Sequence, residues 1–166
     1  MSGDARERLA RKQEELVRAL GLGAPVPAGF DAARVQAAAK ALLSKRRRQV
    51  QRAWPALAEA LGRGFAEHFD AWARHHPLLG MEPHPLADGR RFAEALRTAG
   101  TLPKEAEAEL IGFDLRWRLT PEGGLAPRRG LVLKMARVGA ARHRVLAVRL
   151  PWGRVLHWML PGRARE

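Results

Sequence analysis

Proline and glycine cut the first 119 residues into short pieces, and those cuts limit what the chain can become. Gly21, Gly23, Pro55, Gly62, Pro77 and Pro103 fall between runs of apolar residues spaced three and four apart. Proline lacks the N–H that a helix interior needs, and its ring clashes with the preceding turn, so it ends helices or starts them. The spacing therefore predicts six helical segments rather than one long rod. The first covers residues 4–20, with Leu9, Leu16, Val17 and Leu20 on one face. Asp31 caps the second, which carries Val35, Leu42, Leu43 and Val50 and stops at Trp54-Pro55. A third spans residues 56–61. A fourth spans residues 64–76, with Phe65, Phe69 and Trp72 inward, and residues 75–85 read as loop. The fifth covers residues 87–98. The sixth opens at Pro103, with acidic residues early, Arg116 and Arg118 late, and Leu110, Phe113 and Trp117 as its apolar side.

The period changes after Leu119. Residues 120–130, TPEGGLAPRRG, read as a linker. Residues 131–138, 143–150 and 154–160 then alternate like strands, separated by turns short enough for hairpins. The expected fold class is α+β: an N-terminal helical bundle (residues 1–119), then a linker and a small three-stranded antiparallel sheet (residues 120–166) packed on the helices. Three strands alone are marginal in water, so the helices should supply one face.

Composition narrows the chemistry. The chain has 166 residues and no cysteine, which removes disulfides, thiolate metal sites and a cysteine nucleophile. No run approaches the about 18 apolar residues of a membrane span, and residues 1–13 are too charged for a signal peptide, so a cytoplasmic protein without a membrane role is expected. The net charge is +13 and is unevenly spread: residues 1–120 carry 20 basic and 15 acidic side chains, residues 121–166 carry 10 and 2. Arginine outnumbers lysine 25 to 5, and guanidinium forks suit carboxylates and phosphates.

No catalytic motif is present, neither a nucleophile elbow, nor a zinc-binding HExxH, nor a phosphate loop. His68 and His75 stand two helical turns apart, about 10 Å, too far to share a metal. Asp70 and Asp114 read as partners for arginine rather than as general acids. No catalytic residue, no metal and no cofactor are expected in the chain itself. The basic features carry the signal. Lys45, Arg46, Arg47, Arg48 and Arg52 form one patch, suited to phosphates. Arg137, Arg144, Arg149 and Arg154, with Trp152 and Trp158, form another on the strands, suited to acidic side chains of a peptide added at a sheet edge. Nucleic acid and acidic peptide both remain open as partners.

The stretch RRRQVQRAWPALAEALGRGFAEHFDAWARHHP (residues 46–77) and the later ADGRRFAEAL and LPKEAEAELIGFDLRW are similar to a bacterial family labelled a DNA-binding domain. The basic helix ending in Trp54-Pro55, the Leu61-Gly62 stop, Phe65, Phe69, His76-Pro77, Phe92, Leu102-Pro103, Leu110 and Trp117 carry the resemblance. The family's members resemble partner subunits of multinuclear non-haem iron-dependent oxidative enzymes that modify ribosomally made peptides. The resemblance implies a non-catalytic partner subunit whose helical part docks the enzyme and whose C-terminal part helps present a precursor peptide. A DNA-binding transcriptional regulator is the alternative.

Overall fold

Capping and apolar spacing explain where each helix begins and what it buries. The structure, a computed structural model, describes residues 3–77, 84–138, 143–150 and 155–160. Six α-helices come first: α1 (Gly3–Leu22), α2 (Ala32–Ala53), α3 (Pro55–Leu61), α4 (Phe65–His75), α5 (Pro85–Thr98) and α6 (Lys104–Arg116). Asp31 caps α2, its Oδ1 accepting from the N–H groups of Ala33 (2.9 Å) and Arg34 (3.2 Å). A single 3₁₀ turn, Gly62–Gly64, joins α3 to α4, and Gly62 takes a φ of 52° that a side chain would resist.

α3 has no cap of its own and borrows one. The Glu109 carboxylate of α6 accepts from the N–H groups of Leu57 (2.9 Å) and Ala56 (3.4 Å), the orphan donors at the start of α3. Glu109→Ala is expected to lower stability by about 1 kcal/mol, more than an alanine at exposed Glu105 of the same helix. Thermal melts of the two variants side by side check this; equal melting temperatures would deny Glu109 the role.

The core lies among α2 to α6. Val50, Trp54, Leu57, Phe65, Phe69, Phe92, Leu110 and Phe113 are buried together. Phe69 is its hub, with ring centroids 5.3 Å from Phe92, 5.4 Å from Trp72 and 5.9 Å from Phe65. Offset and edge-on pairs at such distances contribute beyond their buried area. α1 is peripheral: Leu9 and Val17 remain 52% and 67% exposed.

α6 faces two ways. Ala106, Leu110 and Phe113 point into the helical core, whereas Ile111 and Leu115 pack with Ala147 and Val132. A helix apolar on two sides must sit between two layers, and the second layer is β. β3 (Val132–Val138), β4 (His143–Arg149) and β5 (Val155–Leu160) pair antiparallel in that order, in registers such as Leu133↔Val148 and Leu146↔Trp158. The fold is α+β.

One segment differs from the expectation. Trp117 does not continue α6, and residues 120–130 are not only a linker. β1 (Trp117–Leu119) pairs antiparallel with β2 (Leu125–Pro127). The cause is a turn at residues 120–124. Gly123 adopts a φ of 92°, Thr120 and Gly124 close a backbone hydrogen bond of 3.0 Å, and the Thr120 hydroxyl accepts from the Gly124 N–H at 3.1 Å.

Candidate functional site

The last turn of α4, one side of α5 and the end of β1 enclose an open groove of about 770 Å³. Trp72 and His76 come from α4 and its C-cap, Arg90, Arg91, Glu94 and Arg97 from α5, and Leu119 from β1. The α5 residues reach it together because positions three and four apart share a helix face. At one end the His76 ring stacks on Trp72, centroids 4.8 Å apart and planes 13° apart. His76 Nδ1 lies 2.8 Å from the Trp72 carbonyl, which can only accept, so that nitrogen carries the proton.

Charge in the groove is organised rather than diffuse. Arg90 forks onto Asp114 (2.6 and 3.2 Å) and also reaches Glu94 (2.7 Å). Arg97 holds the other Glu94 oxygen at 2.6 Å. Partial burial pushes the Glu94 carboxyl up, but hydrogen bonds from Arg97 and Arg90 outweigh it and hold the group below the ordinary glutamate range. Behind the groove, buried Arg46 donates to Asp88 Oδ2 (2.7 Å) and Oδ1 (3.0 Å) and to the His76 carbonyl (2.8 Å). Its guanidinium also lies 5.3 Å from the centre of the Trp72 ring.

That placement corrects the first basic patch. Arg46 is only 7% exposed and so lies outside any exposed patch, and Arg47 is part-buried and paired with Asp70. Four consecutive side chains on a helix sweep all its faces, and here two of them turn inward onto carboxylates. Lys45, Arg48 and Arg52 are the exposed remainder, three and four residues apart on α2.

The second patch is divided by the strand register. Arg137 and Arg144 are opposite each other on β3 and β4, and Trp158 is opposite Leu146. Arg149 instead holds a position two residues from Ala147, which is buried toward α6, so it belongs to the other register set. Arg154 and Trp152 lie outside the described residues.

The ion pairs expected for Asp70 and Asp114 form, with Arg47 and Arg90 respectively. Among the described residues, no group of three or more histidine or acidic side chains is placed to hold a metal ion, and no helix is long and apolar enough to cross a membrane. The groove itself was not anticipated. Nothing in the spacing of Arg90, Arg91 and Arg97 points to Trp72 or Leu119.

No solved structure matches the chain. A UPF0276 protein from Streptomyces avermitilis is 39% identical over 142 residues, which is 86% of this chain and 27% of that relative. The chain thus spans about a quarter of the curated relative it matches. The family model described as SCO6045-like, C-terminal domain matches residues 10–98, more than half the chain, and the chain belongs to that family.

Proposed function

We propose that this chain is a non-catalytic partner module that binds a multinuclear iron-dependent oxidative enzyme and helps present an acidic precursor peptide to it in the cytoplasm. The observation that carries this reading is the 27% share of the Streptomyces relative taken up by the match, together with a family described as a C-terminal domain. A unit that forms one part of a much longer chain in a relative is a natural docking partner for the counterpart of the rest. The iron and the oxidative chemistry belong to the enzyme in this reading, and the chain contributes binding. Residues 1–119 would supply the docking surface and residues 120–166 the peptide-holding part. Exposed apolar side chains support it: Leu9 and Val17 on α1 and Leu42 on α2 stand in water in the chain by itself.

A tagged full-length chain recovered from its native cells, with nuclease present, tests the reading. Recovery of one stoichiometric partner containing iron is expected, and the double substitution Leu9→Glu, Val17→Glu should reduce that recovery about tenfold or more by placing charges at an apolar contact. Recovery of no iron-containing protein would overturn it. The exposed stripe of Lys45, Arg48 and Arg52 favours the second reading, a DNA-binding regulator. Retention of duplex DNA once nuclease is omitted, with log K falling by about 0.9 per phosphate contact per log unit of salt, would put that reading first.

A further inference from the structure

We infer that the groove between α4, α5 and β1 is a binding site for a carboxylate, with Arg91 as its main anchor. The inference goes beyond the partner-module reading and stands without it. It begins from two donors in one groove that have no acceptor among the described residues. The Arg91 side chain is 23% exposed, and its nearest carboxylate oxygen, Asp88 Oδ1, is 3.9 Å away, beyond hydrogen-bond range. That oxygen already accepts from Arg46 at 3.0 Å. The Trp72 indole N–H is the second donor: Trp72 lines the groove and is 9% exposed, and its Nε1 is closed to solvent without an acceptor among the described residues, so a ligand reaches it only through a shift of the ring. A buried donor left unpaired costs about 1–3 kcal/mol, and the same donor becomes an asset when an acceptor arrives.

The charge count selects the ligand. Arg46 and Arg91 share the single carboxylate of Asp88, and a separate cluster sets Arg90 and Arg97 against Glu94 and Asp114. Four guanidiniums meet three carboxylates, and the surplus positive charge sits where the hydrogen bonding is incomplete, at Arg91. A single carboxylate restores neutrality and matches the planar guanidinium fork. A phosphate would set up to two charges on the one group that meets Arg91, where like-charge crowding against Glu94 and Asp88 is costly, whereas each carboxylate of a diacid or a peptide carries one. The carboxylate comes either from a free small acid or from an acidic side chain of a peptide, and both present the same group to Arg91.

The test is calorimetric titration of the intact chain with succinate, with an acetylated, amidated tetraglutamate peptide and with inorganic phosphate, at constant pH and moderate salt. Saturable binding of succinate or of the tetraglutamate peptide is expected. Arg91→Gln should weaken it about tenfold, equivalent to about 1.4 kcal/mol. Trp72→Phe, which keeps a ring and removes the N–H, should weaken it severalfold. Arg34→Gln, at the exposed start of α2, should leave it unchanged. Tetraglutamate alone binding assigns the source to a peptide side chain, and succinate binding as well assigns it to any carboxylate. Absence of saturable binding by both would overturn the inference. So would phosphate binding tighter than either, or equal loss in Arg34→Gln and Arg91→Gln. Circular dichroism of each variant confirms folding, and Trp72→Phe decides the question if Arg91→Gln does not fold. No iron enzyme enters the experiment, so its failure is separate from failure of the partner reading.

Discussion

Asp88→Ala is expected to lower the stability of the chain by on the order of 3–5 kcal/mol, the usual result of removing one partner from a buried ion pair. Arg46 would keep its charge, because guanidinium does not deprotonate in proteins. It would also keep its buried position, since its α2 neighbours Val50 and Trp54 are packed in the core on the same helical stripe. Among the described residues, only the His76 carbonyl and the Phe69 and Trp72 rings would remain to it. A domain of this size has roughly 5–15 kcal/mol in total, so this one truncation removes a large share. Asp88→Asn keeps one acceptor for the fork and should cost less. The paired change Arg46→Met, Asp88→Leu should recover most of the loss, because it removes the stranded charge along with its partner. Denaturant unfolding of the four proteins under one set of conditions checks the order. A loss below about 1 kcal/mol for Asp88→Ala would mean that water reaches Arg46 and that the pair is not a structural clamp.

This clamp marks where sequence reading stopped. Helix limits were legible because Asp31, Pro55, Gly62, Pro77 and Pro103 act through neighbouring backbone, within a turn or two of themselves. The acceptors for the basic run act across the fold. Asp88 stands 42 residues from Arg46 and Asp70 stands 23 from Arg47, and no spacing rule links them. The run Lys45 to Arg48 had to turn some charge inward, but which members did so depends on where α4 and α5 lie. Other misses have local causes. Leu110, Phe113 and Trp117 keep helical spacing to the end of α6, which hides the three-residue strand starting at Trp117. Ile111 and Leu115, four apart, were the available signal that α6 carries a second apolar side for the strands. The groove was illegible for a third reason: its donors matter through the absence of partners, and an absence of that kind exists only once the neighbours are placed.

Gly89→Ala should be the second large effect, and its sign runs against helix propensity. Gly89 lies within α5, where alanine is normally better than glycine by about 1 kcal/mol. A Cβ there, however, would fall 2.1 Å from Cδ1 and 2.2 Å from Nε1 of Trp54. Trp54 has little room to yield: it is 1% exposed, its indole N–H donates to the Leu86 carbonyl at 3.2 Å, and its ring lies 5.2 Å from that of Phe113. Overpacking of a rigid aromatic commonly costs about 1–3 kcal/mol, and the upper part of that range is expected. Gly112→Ala in α6 is the matched control, since the nearest atom to its Cβ is the flexible Arg116 guanidinium at 3.8 Å, and it should be neutral or stabilising. Thermal unfolding of the two variants separates packing from propensity, and a Gly89→Ala protein as stable as the parent would show that α5 can back away from α2 at no cost. The consequence reaches the groove. Asp88 and Gly89 are adjacent, one clamping Arg46 and the other admitting Trp54, so together they set how closely α5 crosses α2. Arg90 and Arg91 follow directly and carry the groove's charge. A folded Gly89→Ala chain should therefore also bind the carboxylate probes more weakly, although Gly89 touches no ligand.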